Sequence, residues 1–138
     1  MFIPSQPRRQ IYERDHHRCA YCLTSQDNSS QRLQIDHIVP RAQDGESVIA
    51  NLCLACSSCN NHKHARQRAI DPISGEAAAL FHPMQQEWGE YFAWDESHTL
   101  IIRLTACERA TIVALNMNHQ AIVWARRRWV EAGWHPPE

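Results

Sequence analysis

Two cysteine pairs, Cys19-x-x-Cys22 and Cys56-x-x-Cys59, constrain this chain more than any other feature. Each has the spacing of a knuckle that sets two thiolates on one tetrahedral metal. The 33 residues between Cys22 and Cys56 exceed the usual zinc-ribbon spacing, so the intervening segment must loop out and return. The N-terminal stretch Met-Phe-Ile-Pro-Ser-Gln-Pro-Arg-Arg lacks the apolar run of a signal peptide, and no segment is apolar for long enough to span a bilayer. A cytoplasmic protein with reduced thiols is therefore expected, in which paired cysteines read as metal ligands before disulfides. Zinc is expected ahead of an iron site of rubredoxin type, which takes the same four thiolates. Four thiolates on Zn2+ carry a net charge of roughly −2, so the site is closed and structural, pinning the two ends of the looped segment. Cys53 and Cys107 stand outside this pattern and read as small buried hydrophobes.

Composition sets the outer bounds. A chain of 138 residues with 43% hydrophobic content supports one domain, or a small core with an appended partner, and excludes a wholly disordered polymer. Its net charge of −1 excludes a strongly basic, histone-like binder of nucleic acid. That figure averages two unlike halves: residues 1–70 hold nine basic against six acidic side chains, residues 71–138 five against nine. Thirteen of the 14 basic residues are arginine, the side chain suited to bidentate phosphate contact, and Lys63 stands alone.

No repeat or low-complexity segment is present, so organisation must come from local signals. Residues 7–18 suit a short polar helix or turn leading into Cys19. The alternation in Arg32–Val39 predicts a strand stopped by Pro40, and Asp44-Gly45 predicts a turn. A helix is expected from Ser57 through Arg68, and Asp71-Pro72 with Gly75 reads as a boundary. Beyond it come an aromatic packing segment at Phe81–Asp95, a strand at His98–Leu104, and a helix opened by a Thr105/Glu108 capping box. A last helix carries an apolar stripe of Ile122, Ala125, Trp129 and Ala132 and ends at Gly133. The Arg126-Arg127-Arg128 run reads as a solvated face, because three successive helical residues cannot all address one partner.

The pinned loop carries Asp36-His37-Ile38-Val39-Pro40, then Asn51-Leu52, then Cys59-Asn60-Asn61-His62-Lys63. With both cysteine pairs, these residues resemble the HNH endonuclease family in its zinc-binding form. The resemblance implies an α+β fold: a ββα-metal (His-Me finger) nuclease core with a structural four-cysteine zinc site at residues 1–70, and a small α+β extension at residues 71–138. It implies hydrolysis of DNA phosphodiester bonds, duplex DNA preferred, with one divalent ion, Mg2+ or Mn2+, leaving 5′-phosphate and 3′-hydroxyl ends. His37 would be the general base, Asp36 and Asn60 the oxygen ligands of the ion, and Asn51 the residue that ties the loop and aims His37. Asn60 stands where many relatives carry histidine, so His62 or His64 are alternative ligands.

The chemistry agrees with that assignment. Neighbours on a strand point to opposite faces, so Asp36 can address a metal while His37 addresses water. A hard divalent ion keeps several waters and needs few protein oxygens, and neutral imidazole can accept a proton near pH 7. Arg41, Lys63, Arg66 and Arg68 are the candidate phosphate contacts. Asp71-Pro72, Leu80-Phe81-x-Pro83, the Trp88–Trp94 aromatics and Arg127–Gly133 resemble an extended bacterial form of the family, frequent in cyanobacteria, and read as packing determinants. The rival expectation is a non-catalytic zinc module that binds nucleic acid or protein.

Overall fold

A computed structural model describes residues 3–105 and 108–137. Cys107, expected to be buried, lies outside the described residues. Helix α1 (Ser5–Arg14) opens the fold, with Pro7 in its first turn where the missing N–H costs no hydrogen bond. Its Ile11 is fully buried, contributing about 2 kcal/mol by the usual area scale. The Arg14 guanidinium donates to the carbonyls of Ile49 and Leu52, and the Asp15 carboxylate accepts from Leu54 N at 2.8 Å. These contacts brace α1 against the second strand of the core.

Strand β1 (Gln34–His37) pairs antiparallel with β2 (Leu52–Ala55), setting Asp36 opposite Cys53 and His37 opposite Leu52. All four β2 residues are buried. Helix α2 (Ser57–Lys63) follows directly. The expected continuation to Arg68 does not occur: His64 turns to φ 53°, and Arg66 folds its guanidinium back onto the carbonyls of His62 and Lys63. Residues Arg68–Ile70 instead form β3, paired with β4 (Ala77–Ala79), with Asp71-Pro72 and Gly75 in the hairpin turn between them. Tertiary pairing has overridden a local preference for helix. Between this hairpin and the C-terminal helices, the short helix α3 (Trp88–Tyr91) leads into β5 (Phe92–Trp94), which pairs with β6 (Ile101–Arg103).

The aromatic segment packs as expected, with ring centroids of Trp88 5.3 Å from Phe92 and 5.6 Å from Trp94. Trp88 Nε1 donates to the Tyr21 carbonyl at 2.8 Å, tying this segment to the first cysteine knuckle. Thr105 and Glu108 are hydrogen-bonded side chain to side chain ahead of helix α4 (Glu108–Ala114). Arg109 of that helix grips both Asp71 carboxylate oxygens, fixing the β3–β4 turn to α4. Helix α5 (Gln120–Ala132) closes the fold and stops at left-handed Gly133, as the sequence predicts. One buried cluster runs from Ile3 and Ile11 through Tyr21 and Leu54 to Phe92, Ile101 and Leu115. Among the described residues, no helix is long and apolar enough to cross a membrane.

Candidate active site and metal centre

The metal centre assembles from two separate turns. Leu23 donates its N–H to the Cys19 carbonyl and Cys19 donates to Thr24 O, closing the first knuckle, while Ala20 N binds Leu54 O and sets it beside β2. Cys56 caps α2, its sulfur accepting from Cys59 N at 3.4 Å. The four ligand sulfurs lie within 4.8 Å of one another, and Cys22 Sγ is 3.7 Å from Cys56 Sγ. That separation is far beyond a disulfide and close to the edge of about 3.8 Å that a tetrahedron with 2.3 Å zinc–sulfur bonds requires. Hydrogen bonds from the other three cysteines hold the Cys22 thiol well below its usual range, while burial pushes Cys19 up. Four sulfurs gathered at this spacing are a donor set for a thiophilic cation. The described residues thus bring together all four expected ligands. Cys53 is buried nearby, and its pKa is pushed strongly upward by burial, as fits an inert thiol.

The ββα unit places the other candidates in two groups. On one face of β1, Gln34 and Asp36 look toward α2. Asn60 Nδ2 donates to Gln34 Oε1 at 2.5 Å, and Lys63 Nζ lies 3.1 Å from Asp36 Oδ2. Helix residues three apart thus meet strand residues two apart, a direct consequence of the two periodicities. Asp36 is buried and accepts in addition from Tyr21 Oη at 2.7 Å. Lys63 is buried too, and it also donates to the His37 carbonyl at 3.0 Å. The expectation that Lys63 faces a phosphate therefore does not match its position, because its ammonium is spent inside on Asp36. Arg66 likewise closes the end of α2, and Arg68 donates to the Ala77 carbonyl at 3.1 Å. Asn60 is half-buried on α2. His62 turns away, its Nδ1 2.7 Å from the Ser58 carbonyl one turn back, and His64 is exposed at the helix end.

On the opposite face His37 is partly exposed, with Nε2 2.8 Å from Ser47 Oγ. The loop between β1 and β2 holds that ring. Asn51 Oδ1 accepts from Val39 N at 2.8 Å, while its Nδ2 donates to Val39 O at 3.0 Å and Glu46 O at 2.8 Å. These bonds tie the loop between β1 and β2. Gly45 sits where a β-carbon would overlap the Val39 carbonyl oxygen and lie 2.9 Å from Pro40 O. Asn51→Ala is expected to cost about 1–3 kcal/mol of stability by orphaning the Val39 amide. Gly45→Ala should displace the His37 loop and, for the hydrolysis expected from the sequence, lower turnover on the order of 10²-fold. Melting temperature, turnover and metal content, measured for both variants, check this. Unchanged turnover in a zinc-replete Gly45→Ala protein would show that the loop does not aim His37.

His37 opens onto a cleft of about 510 Å3 whose walls include Arg8, Tyr12, Arg32, Gln34 and Arg41. None of its lining residues is a carboxylate, and its three guanidiniums have no acidic partner among the described residues. Sequence reading found Arg41 but missed Arg8 and Arg32, which come from α1 and the turn before β1 and converge only in space. It also missed Gln34, although the two-residue period from Asp36 places it on the same strand face. A larger cleft of about 860 Å3, bordered by Gln67, His82, Gln85 and Arg109, contains neither His37 nor Asn60. Residues 19–66 match the family model described as HNH endonuclease. The match spans both cysteine pairs, Asp36-His37, Asn51 and Asn60, and ends before β3. No curated protein and no solved structure matches the chain.

Proposed function

We propose, from the match of residues 19–66 to the HNH endonuclease family, that this segment is a ββα-metal nuclease core that hydrolyses DNA phosphodiester bonds, with residues 71–138 as an extension packed on it. The observation that carries this reading is the setting of His37. Its ring is oriented by Ser47, its loop is clamped by Asn51, and it borders an arginine-lined cleft free of carboxylates. An anionic backbone fits that cleft, and duplex DNA is the proposed substrate.

While neutral, His37 offers a lone pair to the attacking water and takes its proton as the water oxygen closes on phosphorus. The bond to the 3′ oxygen breaks, leaving 3′-hydroxyl and 5′-phosphate ends. Arg8, Arg32 and Arg41 hold the flanking phosphates. Asp36 and Asn60 are the residues that would hold a divalent ion, which supplies charge stabilisation at the phosphate and the departing oxygen. Lys63 is the cation now held by Asp36, so ion binding there requires its ammonium to give up the contact. The same buried ion pair favours a second reading, a non-catalytic zinc module, because Asp36 is already satisfied without a metal. Cleavage of supercoiled plasmid with and without Mg2+ or Mn2+ separates the two.

Burial and the neighbouring Arg41 charge hold the His37 pKa below its ordinary value, against a smaller opposing pull from Asp36. A lowered pKa means the ring loses its proton earlier as pH rises, so the base is ready at lower pH. The acidic limb of kcat/KM is expected below about 6.5, the free imidazole value. Arg41→Ala should move that limb upward. A limb that stays in place in the Arg41 variant would remove Arg41 from the tuning of this base.

A further inference from the structure

The run Arg126-Arg127-Arg128 divides in the fold. Arg127 and Arg128 are exposed, whereas Arg126 is fully buried on the inner face of α5. Its guanidinium donates to three neutral oxygens: Thr99 O at 2.9 Å and Asn118 Oδ1 at 3.0 Å from Nη1, and Met117 O at 2.7 Å from Nη2. Its Cζ lies 5.1 Å from the Trp94 ring centroid. Nε has no hydrogen-bond partner, and no carboxylate pairs with this charge among the described residues. A buried cation with only dipoles and an aromatic face around it is a costly arrangement unless a negative group lies within reach.

Burial holds the Arg126 pKa below its usual range, and the Cys22, Cys59 and Cys56 sulfurs pull against that shift. Helix α5 and the metal centre also share a wall. Ile122, Ala125 and Trp129 from the helix line one cavity of about 260 Å3 with Cys22, Cys56 and Cys59. Four neutral thiols give Arg126 little to balance, whereas four thiolates around a divalent ion carry a net negative charge. We propose that Arg126 is the internal counter-charge of the four-cysteine metal centre, supplied by the C-terminal helix, so that metal occupancy and docking of α5 favour each other. The coupling is reciprocal, as any linkage between two equilibria must be. It does not depend on the nuclease reading, since neither partner touches His37.

Zinc affinity measured by competition with a chromophoric chelator, in the full chain and without DNA, tests this. Arg126→Met is expected to weaken zinc binding by about 10–100-fold, the usual consequence of losing an outer partner of a metal site. Arg126→Lys should recover most of it. Arg126→Gln, which keeps an amide for Met117 and Asn118, should behave like the Met variant and serves if that one does not fold. The Co2+-loaded proteins should retain four-thiolate charge-transfer bands, showing that the ligands themselves are intact. If the neutral variants bind zinc as tightly as wild type, or if Lys fails as badly as Met, Arg126 is only a peg for its carbonyl partners and the proposal is wrong.

Discussion

His37→Ala is expected to reduce divalent-dependent plasmid cleavage by about 10²–10⁴-fold, the usual contribution of a positioned proton acceptor. The ring is partly exposed and meets the Ser47 hydroxyl, itself on an exposed residue. Removing it leaves no orphaned donor inside the fold, so melting temperature and zinc content should stay close to wild type. That separation of activity from stability gives the test its force. Equal cleavage by the two zinc-replete proteins would sink the enzyme reading and leave the non-catalytic module. Asn60→Ala should fall in the same direction with a steeper dependence on metal concentration, since it removes the amide oxygen proposed to hold the ion with Asp36.

Cys56→Ser is expected to prevent the segment from Cys19 to Lys63 from folding, rather than to slow catalysis. The substitution removes one of four soft ligands and the sulfur that accepts Cys59 N at the start of α2. Structural zinc binding in small modules amounts to about 10–16 kcal/mol, as large as the whole stability of a typical domain, about 5–15 kcal/mol. The strands it steadies are four residues each and, among the described residues, form a two-stranded sheet. A two-stranded ribbon of this length does not hold its shape alone in water. Loss of near-ultraviolet dichroism and protease resistance in the variant, with the same losses in wild type under chelator, checks the expectation. A folded, zinc-free Cys56→Ser protein that still cleaves DNA would overturn it.

Several elements were legible in the sequence because each is a local signal with one physical reading. The knuckles have fixed spacing, Gly133 ends a helix in the left-handed conformation, and Asp36 and His37 had to point to opposite faces of a strand. The α2 terminus was not legible, because His64 to Arg68 carry good helix formers and only pairing with β4 decides against helix. Lys63 and Arg126 share one failure. The lone lysine reads as a phosphate contact and the first of three arginines as a solvated cation, yet both are buried, one on Asp36 and the other on the carbonyls of Thr99 and Met117. No one-dimensional pattern marks which of several like charges turns inward.

The charge arithmetic shows the same division. The first half is nominally +3, nine basic against six acidic residues, and thiolate ligation lowers it by roughly 2. The fold then removes Lys63 from the surface and gathers Arg8, Arg32 and Arg41 around His37. By itself the sequence determined the four cysteine ligands and the loop they pin, because metal-ligand spacing is a short-range rule. Only the tertiary structure decided which charges meet substrate and which meet each other, because that depends on contacts between residues distant in the chain. Asp36 with Lys63, Asn60 with Gln34 and Arg126 with Thr99 are all contacts of that kind.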